Sequence, residues 1–401
     1  MALVVKKFGG SSVADAERIR RVAGLIAEDY SMGHDLVVVL SAPGDMTDDL
    51  IEKAREVNPK ASRREMDVLL STGEQTSVAL MAMALEALGL PVVSLTGWQV
   101  AVRTNTEYSN ARIERIDKER IESELDRRRI VLVAGFQGLN KYDDITTLGR
   151  GASDTTAVAL AAVLRADSCQ IYTDVDGVYT ADPRKIPGAR KLAEITYDEM
   201  LELASLGAQV LHNRCVQMGK RYGVEIEVLS SFERKPGTKV KEVTDLEKTK
   251  ISGVARDTEV SRIALVGLRD EPGVAFRVFQ TLARDKIVVD IILQSIGRDG
   301  TQDISFTVAR ADTERAASLL AAQQTQLGFA RIDTDDKIAK VSIVGAGMMS
   351  ASGIAATMFE ALYDAEVNIG MISTSEIKIS VLVDEADSDR AVQAIHRKFF
   401  D

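Results

Sequence analysis

Over the first 230 residues, short apolar runs alternate with stretches of helical period. Leu3–Lys7, Leu36–Leu40, Pro91–Leu95, Ile130–Phe136, Cys169–Thr173 and Val224–Leu229 are apolar throughout rather than at every second position. Strands of that kind are buried on both faces, as in parallel sheets covered by helices. Between them, Asp15–Asp29, Thr76–Leu88 and Thr155–Arg165 carry apolar residues at helical spacing. The alternation predicts an α/β domain over 1–232, with a mostly parallel sheet sandwiched by helices and ligands beyond the carboxyl ends of its strands. The pattern then breaks. Ser230–Gly253 includes a charged stretch, Lys239–Lys250, without apolar period, so 233–259 reads as a linker. Beyond it the chain repeats itself. Gly273-Val274-Ala275 aligns with Gly353-Ile354-Ala355, Phe279 with Phe359, Leu282 with Leu362 and Ile287 with Val367. Each copy, 260–335 and 336–401, reads strand, glycine turn, helix, strand, strand, helix, strand, an α+β module with one covered sheet face.

Composition narrows the class. The 401 residues are 45% hydrophobic, enough for full cores, and 60 acids against 50 bases leave a net charge of −10. With no long basic run, nucleic acid is not an expected partner. Cys169 and Cys215 are the only cysteines, and His34, His212 and His396 are scattered, so neither a disulfide framework nor a metal site is expected. The first apolar run is too short for a signal peptide, and no stretch approaches the roughly 20 apolar residues of a membrane span. A cytoplasmic protein without a membrane partner is the expectation.

Small and polar residues follow each strand. After Leu3–Lys7 come Gly9-Gly10-Ser11-Ser12, and Ser12 with Asp15 predicts a helix start. Glycines let backbone N–H groups approach an anion, and Lys7 adds a full charge. The stretch reads as a phosphate cradle or as a tight turn, and is not the G-x-x-x-x-G-K-[ST] loop. Ser41–Asp48 offers hydroxyls and backbone donors, or a simple turn. Ser71-Thr72-Gly73-Glu74 has capping-box spacing, which on local pattern makes Glu74 a helix cap before a substrate contact. Gly135-Phe136-Gln137-Gly138 leads to Thr146–Asp154. There Arg150, flanked by glycines, suits a carboxylate and Asp154 an ammonium; an N-cap at Asp154 and a solvated Arg150 are the plainer alternative. Tyr172–Arg184 offers Asp174, Tyr179, Asp182 and Arg184 to a nucleotide, and Asp176-Gly177 predicts a hairpin.

Lys7–Ser12, Ser71–Glu74, Gly135–Gly138, Gly149-Arg150-Gly151 with Ser153-Asp154, and Tyr172–Tyr179 occur in the order seen in aspartokinases. The chain resembles that family over nearly its whole length. The resemblance implies the amino-acid kinase fold and ATP-dependent phosphorylation of the β-carboxylate of L-aspartate to 4-phospho-L-aspartate, with Mg2+ accompanying ATP. Carried over by motif, it assigns Lys7, Gly9, Gly10 and Ser11 to the ATP phosphates. It puts Ser41, Thr173, Asp174, Tyr179, Asp182 and Arg184 at the nucleotide. Thr47, Glu74, Arg150, Gly151, Ser153 and Asp154 would surround aspartate, with Arg150 on its α-carboxylate. Lys7, Glu74, Arg150 and Asp154 form the implied catalytic set. A carboxylate nucleophile is ionised at neutral pH, so no general base is required. Two positions depart from the family: Ala152 replaces a common glycine and is expected to crowd its loop, and Asn213 replaces a common proline.

The repeated modules resemble ACT domains. They imply feedback by lysine, threonine or both on the first step of lysine, threonine and methionine biosynthesis. The implied effector contacts are Asp270, Gly273, Val274 and Gln294 in the first module, and Met348, Asn368, Ile369 and Ser375 in the second. Paired modules imply a homodimer or tetramer, and some members carry a separate regulatory-domain-only subunit. Gly345-Ala346-Gly347 lacks the third glycine of a dinucleotide loop at Ser350 and is assigned to the second module. A kinase acting on glutamate or acetylglutamate is disfavoured by the ACT-like repeat and by Ser71–Glu74. A non-catalytic amino-acid sensor is disfavoured by Lys7, Arg150 and Asp174.

Overall fold

The computed structural model describes residues 2–206, 210–242, 251–296, 300–349 and 352–401. Ser350 and residues 243–250 of the expected linker lie outside the described residues. The chain forms two compact units: residues 1–178, 191–204 and 209–246 in one, and 179–190, 205–208 and 247–401 in the other.

The chain to residue 242 runs β1 (Leu3–Phe8), α1 (Ala16–Ser31), β2 (Asp35–Leu40), α2 (Met46–Val57), α3 (Arg63–Leu70), α4 (Thr72–Ala87), β3 (Val92–Leu95), β4 (Arg103–Thr104), β5 (Ile113–Arg115), α5 (Glu119–Asp126), β6 (Ile130–Ala134), β7 (Gln137–Leu139), β8 (Ile145–Thr147), α6 (Ser153–Leu164), β9 (Ser168–Thr173), β10 (Glu194–Thr196), α7 (Tyr197–Ser205), α8 (Asn213–Tyr222), β11 (Ile226–Ser230) and β12 (Thr238–Lys241). Eight of these strands form one sheet in the order β10-β12-β11-β9-β1-β2-β6-β3. All neighbours are parallel except β11 and β12. Each predicted strand is present, with its ends shifted by one or two residues. Val5, Val37–Leu40 and Ile130–Ala134 are fully buried, as continuous apolar strands require. Because β1, β2, β6 and β9 run the same way, Phe8, Leu40, Ala134 and Thr173 end at the same side of the sheet.

Three local expectations change. Asp15, not Ser12, caps α1, accepting from the Arg18 amide. Gly10–Val13 form a 3-10 turn, and the buried Ser12 hydroxyl donates to Ser231. Asp176-Gly177 forms bends rather than a hairpin, because β1 and β11 occupy both edges of β9 and leave none for a returning strand. Finally, Arg63–Ala87 is long and apolar enough to cross a membrane by length and composition, which the sequence reading had not allowed for. Its Gly73, Glu74, Ser77, Val78, Met81 and Leu85 are buried, and α4 packs on β3 and β6 as a core helix.

The second unit contains β13 (Gly253–Asp257), β14 (Val260–Arg269), α9 (Val274–Arg284), β15 (Val289–Ile296), β16 (Thr301–Ala309), α10 (Thr313–Ala321), α11 (Gln324–Leu327), β17 (Arg331–Asp335), β18 (Ile338–Val344), α12 (Ile354–Asp364), β19 (Met371–Thr374), β20 (Lys378–Asp384) and α13 (Ser388–Phe400). It has two antiparallel sheets, β15-β16-β14-β17 and β19-β20-β18-β13. Among the described residues the second module supplies three strands, β18, β19 and β20. β13, which precedes the first module, is the fourth strand of that sheet: Gly253 pairs with Val344 as Arg331 pairs with Val266. An uncovered edge at β18 would expose a row of unpaired backbone groups. The expected linker therefore holds two strands, one in each unit. Residues 179–190 also belong to this unit. Ala181 and Ile186 join the core of Val254, Val341, Met358 and Ile395, the Val254 amide donates to the Thr180 carbonyl, and Thr180 Oγ1 lies 2.9 Å from His396 Nε2.

β12 is held from its first residue. The fully buried Thr238 hydroxyl accepts from the Val178 amide at 2.8 Å and donates to the Leu192 carbonyl at 2.6 Å. Thr238→Val keeps the shape and orphans both groups, so it should cost about 2–4 kcal/mol. Urea unfolding of the first unit measures this; an unchanged midpoint would return 238–241 to linker status.

Candidate active site

Lys7 is the second-last residue of β1, and its ammonium lies 2.6 Å from Asp154 Oδ1. Both side chains are about nine-tenths buried, at 11% and 9% exposure. Asp154 sits in the first turn of α6, where the helix dipole favours an anion. The helix is capped at Ala152 without a side-chain bond, so Asp154 is not the N-cap. Its other oxygen accepts from the His212 amide at 3.4 Å.

The remaining loops close in around β1. The Ser41 amide donates to the Phe8 carbonyl, and the Gly44 amide to Gly10. A Cβ on Gly10 would sit 2.7 Å from the Ala42 carbonyl, and one on Gly73 2.7 Å from the Ala42 side chain. A Cβ on Gly135 would lie 2.9 Å from that of Ser153. These glycines are therefore needed for close approach, and they bring Lys7–Ser11, Ser41–Gly44, Gly73-Glu74 and Ser153-Asp154 to one place. Within the cradle, the Gly9 amide already donates to the Tyr172 carbonyl. The Gly10 and Ser11 amides have no protein acceptor among the described residues.

Glu74 overturns the capping reading. Ser71 is the joint between α3 and α4, with helical φ of −62°, and its hydroxyl donates to the Val68 carbonyl. Glu74 instead accepts from the Ala42 amide at 3.2 Å through Oε1, while its buried Oε2 has no partner among the described residues. Burial raises its carboxyl from the usual 4.5 to about 8, only partly opposed by its backbone hydrogen bonds.

Arg150 and Asp154 do not share an environment. Arg150 is exposed at the tip of a turn whose flanking glycines have φ of +91° and +72°, and it pairs with Asp48 of α2, beside Thr47. Ala152 does not crowd this turn. Its methyl is fully buried among Leu50, Leu70, Ala111, Phe136 and Leu148. Thr173 donates to Asp174 at 2.9 Å at the end of β9. Tyr179, Asp182 and Arg184 belong to the second unit, where Arg184 grips Asp182 with two 3.0 Å side-chain bonds.

Of the effector candidates, Gly273 caps α9 with φ of +87°, Asp270 is exposed three residues before it, and Gln294 is exposed on β15. The Val274 side chain is in the first module's core, which leaves only its backbone for an effector. Met348 and Ile369 pack on the second module's core, Asn368 is exposed, and Ser375 lies in the turn joining β19 and β20. Sequence reasoning missed Asp67 and Arg214, which frame the Arg150 turn. An aspartate inside the apolar run Met66–Leu70 was the available signal.

Residues 2–230 match the amino acid kinase family, and 263–324 and 341–399 match the ACT domain. An aspartokinase of Mycolicibacterium smegmatis is 52% identical over all of this chain and 96% of its own. The chain belongs to the aspartokinase family. It is an aspartate kinase with two C-terminal ACT domains. The structure of Escherichia coli aspartokinase III in complex with aspartate and ADP, in its R-state, is 27% identical and superposes with a TM-score of 0.83, covering all of both chains. That of the same enzyme with lysine and aspartate, in its T-state, gives 0.77 at 27% identity, again over all of both chains.

At neutral pH, Glu74 of this aspartokinase holds its proton in the folded chain and loses it on unfolding. The folded state then binds the extra proton, so this contribution to stability is full below pH 4.5 and is lost as pH rises towards 8. Urea midpoints of the wild type should fall between pH 5 and 8 more steeply than those of Glu74→Gln, by up to about 1.4 kcal/mol per pH unit. Parallel curves would contradict the neutral Glu74.

Proposed function

We propose that this aspartate kinase transfers the γ-phosphoryl group of MgATP to the β-carboxylate of L-aspartate, giving 4-phospho-L-aspartate and ADP. The observation that carries the reading is the buried Lys7–Asp154 pair at the end of β1, where the glycine loops converge. A carboxylate oxygen attacks the γ-phosphorus, the bond to the β–γ bridging oxygen breaks, and ADP takes the electron pair. No proton has to be removed, so the protein's task is to position groups and neutralise charge. Lys7 supplies the cation to the transferring group. The amides of Gly10 and Ser11 face the phosphates, and a side chain at Gly10 would fill the space they need. Ser41, Thr173 and Asp174 lie at the ends of β2 and β9 for the nucleotide.

Arg150 exchanges Asp48 for the α-carboxylate of aspartate. Thr47, Gly151, Ser153 and Glu74 stand near it. Asp154 holds Lys7 in this structure, so its role is to fix the catalytic ammonium rather than to bind the substrate's. The aspartate and ADP bound by the E. coli relative support this substrate pair.

The ACT modules make the enzyme responsive to an amino-acid end product, lysine, threonine or both. The lysine bound by the T-state relative supports lysine. Edge strands β15 and β19 expose Ile292, Leu293 and Ile372, which favours a homodimer or tetramer closed through these sheets.

A hydroxamate assay with L-aspartate and MgATP should detect acyl phosphate; no product would sink the reaction. In the same assay Arg150→Ala should raise the aspartate KM about 10- to 100-fold, the worth of a charge-assisted bidentate contact, and leave the ATP KM near its original value. An unchanged aspartate KM would remove Arg150 from the substrate.

A further inference from the structure

Asp67 of α3 takes no part in the steps above. It is fully buried, and no cation pairs with it among the described residues. Its Oδ2 accepts from the amides of Ser109 at 2.8 Å and Thr147 at 2.9 Å. Its Oδ1 accepts from the hydroxyls of the same two residues, at 3.1 Å and 2.8 Å. The two segments are joined again by the Ala111 amide donating to the Thr147 carbonyl at 2.9 Å. Arg214 of α8 then closes the frame. Its guanidinium donates to the carbonyls of Leu148 at 2.5 Å and Ala111 at 2.8 Å. One anion takes two amides, and one cation takes two carbonyls, of the same pair of segments.

What this frame holds is the chain entering the Arg150 turn. Thr147 is the last residue of β8, and α6 begins at Ser153. Ser109 is kept at φ of +66°, a conformation uncommon for a residue with a side chain. Burying an unpaired carboxylate is costly unless its lone pairs are filled. An ionised carboxylate is the one side chain that accepts from two amides and two hydroxyls at once. A neutral residue would tie the segments together with less desolvation but could not fix both.

We propose that Asp67 is a positioning residue for aspartate: by fixing Ser109 and Thr147 it sets the Gly149–Gly151 turn and so the place of the Arg150 guanidinium. The proposal rests on the reading of Arg150 as the α-carboxylate contact. An Asn at 67 would present an NH2 group to one of the donors, loosening the frame without emptying the site.

The test is steady-state kinetics of the full chain, with thermal unfolding as a control, for Asp67→Asn, Thr147→Val, Arg150→Ala and the Asp67→Asn/Arg150→Ala double variant. Asp67→Asn should raise the aspartate KM about tenfold, with the ATP KM within twofold. Thr147→Val, which removes one of the four bonds, should raise it about threefold and keeps the test available if Asp67→Asn does not fold. In the Arg150→Ala background the effect of Asp67→Asn on the aspartate KM should shrink to under twofold. A lower turnover with both KM values unchanged would make Asp67 merely structural and overturn the proposal. A full effect persisting without Arg150 would overturn it as well, while leaving the role of Arg150 intact. If Arg150→Ala alone leaves the aspartate KM unchanged, the reading of Arg150 fails, and the proposal falls with it.

Discussion

The first unit is organised around one ion pair. Lys7 brings a cation to the end of a strand that lies inside the sheet, and Asp154 meets it from the first turn of α6. Neither charge is tolerable alone at that depth, because desolvating an unpaired ion costs several kcal/mol. The pair therefore ties the position of α6 to β1, and α6 packs directly on β1, β2 and β9. The glycine loops follow from the same constraint. Gly10, Gly73 and Gly135 lack side chains where the neighbouring loops approach within about van der Waals contact of the backbone. The result is a buried ammonium held beside a carboxylate at the end of β1, in a chain whose net charge is −10.

Glu74 adds a second electrostatic feature of opposite character. Lys7 and Asp154 face each other as an ion pair, whereas Glu74 has no cation beside it among the described residues and is driven to its neutral form by burial. The two carboxyl groups thus differ in what surrounds them, a lysine beside Asp154 and burial without a cation among the described residues at Glu74. A substrate cation placed beside Glu74 would favour its ionised form and release a proton on binding.

Much of this was legible in the sequence. The parallel sheet was, because strands buried on both faces read as unbroken apolar runs. Lys7 and its glycines were, standing out as a cation and small residues after such a strand, although the same pattern also reads as a tight turn. The repeat was, through the 80-residue offset of its apolar positions. What was not legible had physical causes. Glu74 satisfies the capping-box spacing, but Ser71 has helical dihedrals between two helices and leaves nothing to cap. β13 carries no marked pattern, and its place beside β18 is decided by an edge almost 90 residues further on in sequence. Residues 179–190 follow a strand of the first unit, yet Ala181 and Ile186 are buried in the core of the second. Ala152 looked like a crowded glycine, but its methyl fills an apolar cluster. Asp67 has no charge partner among the described residues and no motif; only the fold reveals that four donors surround it.

The central claim is that the Lys7 ammonium, besides holding α6 on β1 through Asp154, acts on the charge of the transferring phosphoryl group. The most direct measurement is turnover of Lys7→Ala at saturating aspartate and MgATP, with the helical content followed by circular dichroism. The account predicts that turnover per folded molecule falls about 100- to 1,000-fold, the scale on which a preorganised charge at a transition state operates, while orphaning Asp154 lowers stability by a few kcal/mol without unfolding the chain at assay temperature. Turnover within a fewfold of the wild type would contradict it.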